Sequence, residues 1–177
     1  MSEKSCCFIG HRKIECTPEL LQRLRKLLHE LIEKGTVNYI FGDRSEFDSL
    51  CYELVTELKA EYPWIKRINF RKEYGDADAN TMQFLIKGYE KSICPKGVDN
   101  AGRASYVERN QAMINNSDFC VFYYDKTYLP PRRKYGKSHL TDYQPKSGTA
   151  IAYTYAIHKK KVIYNLFPKE QFFENEL

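Results

Sequence analysis

Three apolar runs constrain this chain more than any other feature: "CCFIG" (residues 6–10), "TVNYIFG" (36–42) and "FCVFYYD" (119–125). None shows the strict period-two alternation of a strand wetted on one face, so each reads as a strand covered on both sides. Between them run helical stripes. In "TPELLQRLRKLLHELIEKG", Leu20, Leu21, Leu24, Leu27, Leu28, Leu31 and Ile32 share one face, with Thr17 as N-cap, Pro18 in the first turn and Gly35 as the stop. In "EFDSLCYELVTELKAEYP", Phe47, Leu50, Cys51, Leu54, Val55 and Leu58 form the buried stripe and Pro63 closes it.

The rest of the chain continues the alternation. "IKRINFR" is a more polar strand, nearer an edge. "ANTMQFLIKGYEKSI" reads as a helix broken at Gly88 that runs into a short strand around Ile93, and "CPKGVDNAG" as a loop. "RASYVERNQAMINNSD" is helical, and "SGTAIAYTYAIHKK" is a helix with Ile151, Ala152, Tyr155 and Ala156 inward. "KVIYNL" is the last strand, and the tail "PKEQFFENEL" is short helix or coil. Strands are expected at 6–9, 37–41, 119–123 and 162–165, and the two longest helices at about 18–34 and 47–61. The expected architecture is an α/β three-layer sandwich with a mainly parallel central sheet, in one domain over residues 1–177.

Composition narrows the function classes. No apolar run approaches the roughly 20 residues that span a bilayer, and no signal peptide precedes "CCFIG". The six cysteines (Cys6, Cys7, Cys16, Cys51, Cys94, Cys120) show no CxxC pair, and several sit inside apolar runs as small hydrophobes. A cytoplasmic protein with no metal site is the expectation. Residues 126–146 contribute Lys126, Arg132, Arg133, Lys134, Lys137 and Lys146 against Asp142 alone, which is the whole formal charge of +5. A basic insertion loop of this kind fits a local anionic ligand or a solvated surface loop.

In a parallel α/β sheet the strand C-termini share one edge, where ligands bind. The strand ends here supply Gly10, His11 and Arg12, then residues 42–48 with Gly42, Asp43, Arg44 and Asp48, then "YYDKT"; the last crossover helix opens with Ser147, Gly148 and Thr149. Glycine at a strand-to-helix turn lets backbone amides face an anion, hydroxyls add donors, and arginine offers a planar fork. Each piece alone also has a structural reading as a cap or a turn. Their joint placement is what points to a site.

Taken in order, "CCFIGHR", the 42–48 loop ahead of a helix ending in "YP", "ERNQAMINNSDFCVFYYD" and "SGTAIAYTYA" resemble the SLOG superfamily over about residues 5–166. These are Rossmann-like domains related to the Smf/DprA and LOG proteins, and the likeness is nearest to the small stand-alone bacterial YpsA-like branch. The resemblance implies a fold built for nucleotides or nucleotide-derived ligands. It carries over Gly10, His11 and Arg12, Gly42 and Asp48, Arg109 and Asn110, Asp118 ahead of the fifth strand, and Ser147, Gly148 and Thr149 as the phosphate-binding turn. Asp43 and Glu46 depart from the branch, and a carboxylate near a phosphate site repels it unless a cation such as Arg44 compensates.

Related enzymes that cleave N-glycosidic bonds have a glutamate three residues after the threonine of their Gly-Thr turn, which is Ala152 here. Glu108 and Asp125 are the carboxylates that could substitute. Three readings follow: a sensor or regulator binding a nucleotide-like small molecule with no required cofactor; an enzyme of phosphoribohydrolase type acting through other residues; or a single-stranded nucleic-acid binder, which the basic loop and tyrosines support. An exposed helix face leaves room for a homodimer.

Overall fold

The computed structural model describes residues 3–42, 45–73, 78–134 and 142–168, apart from the Arg103 side chain. Its centre is a parallel sheet of six strands. These are β1 (Lys4–Gly10), β2 (Thr36–Phe41), β3 (Lys66–Phe70), β4 (Lys91–Ile93), β5 (Phe119–Tyr123) and β8 (Val162–Asn165), in the order β4-β3-β2-β1-β5-β8. Five α-helices flank it: α1 (Pro18–Glu33), α2 (Glu46–Leu58), α3 (Ala79–Leu85), α4 (Ser105–Asn115) and α5 (Gly148–His158). The fold is Rossmann-like. A short antiparallel pair, β6 (Arg133–Lys134) with β7 (Asp142–Tyr143), stands apart from the sheet.

The expected strands and helices are present with small shifts at their ends. Thr17 caps α1 by accepting from the Leu20 amide at 3.1 Å, and Gly35, at φ 87°, takes the left-handed turn that ends it. α2 stops at Leu58, three residues short of expectation. There the amides of Ala60 and Glu61 bond three residues back, to Glu57 and Leu58, tightening the chain before Pro63. The helix expected after β3 is confined to Ala79–Leu85, and none of its residues is buried. The expected C-terminal tail, from residue 169 on, lies outside the described residues.

Each face of the sheet has its own core. Phe8, Tyr39, Phe41 and Val121 pack under α1 and α2, with Leu24, Leu28, Phe47 and Val55 closing the layer. On the other face, Cys7, Ile9, Ile40, Cys120 and Phe122 meet Met113 and Ile114 of α4 and Ala152 and Ala156 of α5. Ile151 and Tyr155, expected inward, are only half-buried; the buried face of α5 is Thr149, Ala152 and Ala156. Four of the cysteines (Cys6, Cys7, Cys51 and Cys120) are fully buried in these layers, and burial raises the first three thiols well above their ordinary value. β1 lies centrally, paired with β2 on one side and β5 on the other. The order therefore reverses direction at β1, the switch point beside which open α/β sheets leave a crevice.

Candidate functional site

A cavity of about 430 Å³ opens at the carboxyl ends of the strands, beside that switch point. Gly10, His11 and Arg12 reach it from the end of β1, Gly42, Ser45 and Asp48 from the turn between β2 and α2, and Arg109 and Asn110 from α4. Ser147, Gly148 and Thr149 reach it from the start of α5. Ten of the expected site residues thus line one cavity.

The β2–α2 turn is built by its own side chains. Ser45 caps α2, its hydroxyl accepting from the Asp48 amide at 2.9 Å, while the Asp48 carboxylate accepts from the Gly42 amide at 3.1 Å. That pair folds the turn back on itself and leaves Asp48 only 7% exposed. Arg109 is buried across from it. A Cβ on Gly42 would come within 2.9 Å of the Arg109 guanidinium, so glycine here makes room for a cation against the backbone. Arg109 also lies 5.4 Å from the Tyr106 ring, and Lys72 lies 4.8 Å from the same ring. Two cations on one aromatic ring hold this wall in place.

Another wall is the amino end of α5. Ser147 accepts from the Ala150 amide at 3.0 Å, and its carbonyl takes the Ile151 amide at 3.0 Å. Among the described residues, no acceptor is recorded for the amides of Gly148 and Thr149, which the helix geometry leaves as orphan donors. An added Cβ at Gly148 would meet nothing within 4 Å. Beside this end lie Tyr128, Pro130, Pro131, Arg133, Pro145 and Lys146. The basic segment therefore borders the "SGT" turn; in its described parts, residues 126–134 and 142–146, β6 pairs with β7 and the Arg132–Asp142 ion pair ties them at 2.9 Å. Lys137 lies outside the described residues.

The charge balance of the lining is strongly one-sided. Arg12, Arg109, Arg133 and Lys146 face Asp48, the one carboxylate among the described lining residues. His11 adds a neutral donor. Its Nε2 accepts from the Asp125 amide at 3.0 Å, which puts the ring proton on Nδ1. Burial holds its pKa below the ordinary 6.5, against the pull of Asp125. Burial resists the charge on Asp125 as well. The Thr127 hydroxyl and amide, with His11, nevertheless hold that carboxyl below its usual value.

Some expectations are corrected. Asp118 is not in the cavity. It precedes β5, and the residue before a parallel strand lies at the amino edge of the sheet; its carboxylate accepts there from the Ser5 amide at 2.9 Å. The need for glycine at residue 10 comes from packing rather than from a ligand, because a Cβ would fall 2.5–2.6 Å from the Phe47 side chain. Glu46 does not face the cavity; its carboxylate accepts from the Ile14 amide at 3.0 Å, beyond the β1 turn. Asp43 and Arg44 lie outside the described residues. Ala152 is 1% exposed in the core under α5, Asp125 is engaged with Thr127, and Glu108 points outward, so none brings a carboxylate to the cavity.

The sequence reading missed Tyr106 and the wall made by Tyr128, Pro130 and Pro131. Tyr106 stands three residues before Arg109 on α4, a spacing that places both on one helix face and was legible. Among the described residues, no group of three or more His, Cys, Asp or Glu side chains is placed to hold a metal ion, and no helix is long and apolar enough to cross a membrane.

Comparison with known proteins agrees with this architecture. Residues 10–158 match the family model YpsA, described as the YspA SLOG family. No curated protein sequence matches the chain. Among solved structures, the chain is similar to DNA processing protein A from Helicobacter pylori, described for its single-stranded DNA binding mode, with a TM-score of 0.51 and 20% identity. The match covers 96% of this chain and 67% of that one, and the likeness is one of fold.

Proposed function

The chain belongs to the YspA SLOG family, and from that premise we propose that it binds a nucleotide or nucleotide-derived ligand in the cavity at the carboxyl edge, as a sensor or regulator. One observation carries the reading: the amino end of α5, with two amides unpaired among the described residues, opens into the same cavity as Arg12, Arg109, Arg133 and Lys146. Helix amino ends and arginine forks favour phosphate. A volume of about 430 Å³ falls within the roughly 300–1,000 Å³ common for small-molecule sites. Asp48, an acceptor among cations, suits a ligand that also presents hydroxyl or amino donors, as a nucleoside does. Ala152 in the core, where related enzymes have glutamate, argues for binding without carboxylate chemistry on α5. Among the described lining residues, Asp48 is the carboxylate an enzymatic alternative could use.

A thermal-shift series against nucleotides, NAD derivatives, ADP-ribose and cyclic dinucleotides tests this. A ligand at 100 times its dissociation constant adds about 2.7 kcal/mol of stability. A flat series, with no binding by calorimetry, would sink the reading. Release of free base from any nucleotide in the series would instead favour the enzyme.

The second reading is a single-stranded nucleic-acid binder. It is supported by the fold likeness to DNA processing protein A and by the exposed Tyr128 and Leu129 beside the cationic wall. Salt separates the two. Several phosphate contacts lose affinity steeply as salt rises, with a log–log slope of about −0.7 per neutralised phosphate for single strands. A mononucleotide site responds far less.

A further inference from the structure

Strand β5 ends at Tyr123, yet the residues after it stay in line because side chains from both neighbouring strands hold them. From β8, the Asn165 side chain accepts from the Tyr124 amide at 3.0 Å and donates to the Tyr124 carbonyl at 2.9 Å. From β1, the His11 amide donates to the Tyr123 carbonyl at 3.2 Å, and His11 Nε2 accepts from the Asp125 amide at 3.0 Å. The root of the basic segment is thus clipped by a carboxamide on one side and by an imidazole on the other. Only the imidazole titrates.

Asp125 continues the structure outward. Its carboxylate takes the Thr127 amide at 2.8 Å and the Thr127 hydroxyl at 2.6 Å, and its carbonyl takes the Tyr128 amide at 3.3 Å. This turn sets the Tyr128 ring 4.6 Å from the His11 ring. Tyr128, Pro130, Pro131 and Arg133, which form one wall of the cavity, all follow from that root. A ring nitrogen that accepts an amide N–H is the unprotonated one. Protonation at Nε2 would set N–H against N–H across the same gap, so the bond would be lost rather than weakened.

We propose that His11 is a proton-sensitive positioning residue: neutral, it fixes Tyr124–Tyr128 and the cavity wall that follows; protonated, it releases them. The inference rests on the geometry of the root and stands apart from the identity of any ligand. The groups around the ring set the balance. Asp125 and Tyr124 face it from the end of β5 and Tyr128 from the basic segment, with Arg12 next to it in sequence. Beyond them the cavity holds Arg109 of α4, Arg133 of β6 and Lys146 ahead of α5 against Asp48 of α2. Burial opposes a proton on the ring, while Asp125 attracts one. The clipped imidazole titrates below 6.5, so a released ring takes up its proton first as pH falls. The clip is complete above about pH 6.5, weakens as pH falls below it, and is lost as pH falls through the lowered value of the clipped ring.

Hydrogen exchange of the full chain tests this at about pH 7.5 and about pH 5.5, corrected for intrinsic rates. Wild-type exchange over residues 124–128 should rise several-fold to about tenfold at the lower pH, with α1 unchanged. In H11Q the amide oxygen can accept the Asp125 N–H without titrating, so protection should be equal at both values. Equal protection in the wild type, or the same rise in H11Q, would overturn the proposal. If H11Q does not fold, NMR of the wild type decides: the Asp125 amide must shift with the titration of the His11 ring, and an amide that stays in place refutes the idea.

Discussion

The ring of Phe47 fills the space that a side chain at residue 10 would need. Phe47 is fully buried in the first turn of α2, and its atoms lie 2.5–2.6 Å from where a Cβ on Gly10 would stand. A buried ring against backbone has little freedom to move aside. Gly10→Ala should therefore destabilise the protein by about 1–3 kcal/mol, as overpacked cores do. Urea denaturation with and without ligand would show the loss in both conditions. Unchanged stability would mean that α2 shifts freely over β1.

Gly148 should behave in the opposite way. A Cβ there meets open space, and the residue opens α5 with its amide unpaired among the described residues. Gly148→Ala should keep the melting temperature within the change expected of about 0.5 kcal/mol. It should also weaken an anion that approaches the helix end by about tenfold or more. Calorimetry with a nucleotide that stabilises the wild type is the measurement, and full retention of affinity would move the anion elsewhere in the cavity.

Arg12 is exposed at the cavity rim, and among the described residues its backbone carbonyl, which takes the Glu46 amide at 2.9 Å, makes its only hydrogen bond. Arg12→Ala leaves that bond intact. It should cost little stability, yet reduce the affinity of the same nucleotide by the roughly 1.5–3 kcal/mol of a charge-assisted hydrogen bond. A variant that melts early but binds normally would assign the guanidinium to the turn.

Acid should weaken the β3–β4 side of the sheet through Glu90. Burial resists its charge, but the Arg67 guanidinium at 2.8 Å, the Arg67 amide and Lys59 outweigh that and hold the carboxyl down to about 2. The unfolded chain, near its ordinary 4.5, takes up the proton first as pH falls. The contribution is thus complete above about pH 4.5 and disappears toward about pH 2. Glu90→Gln should lower stability at neutral pH and flatten its acid dependence in that window. A parallel curve, merely displaced, would refute the assignment.

Much of this was legible in the residues, for reasons that differ by element. α1 and α2 announce themselves because a long apolar stripe and a cap specify the same helix. The three central strands, β1, β2 and β5, do so because both faces are covered and most of their side chains must be apolar. Strand ends converge by topology, so Gly10, Gly42 and Gly148 fell at one edge as expected. Asp118 went wrong through direction: the resemblance placed it in the site, yet it sits before a parallel strand and therefore at the far edge. The reason for Gly10 was out of reach, since it depends on how Phe47, 37 residues later, is aimed by the opening turn of α2. Tyr128 and the proline wall were hidden inside a basic segment whose path only the His11 and Asn165 contacts reveal.

The strand order also has a consequence in time. Strands β1 to β4 leave the ribosome first and can pair with one another under α1 and α2. The free edge of β1 must wait for β5, and Ser5 meets Asp118 across 113 residues. From β2 to β5, at about 5–20 residues per second, the central strand spends roughly 4–17 seconds of synthesis paired on one side only. Until α4 is made, Cys7, Ile9 and Ile40 have no helix over them, and Arg12 still has no α5 beside the cavity. The cavity is therefore completed late as the chain is made, because α5 closes it after β5 has paired, and a nascent chain arrested before β5 would present a four-stranded sheet with the edge of β1 open.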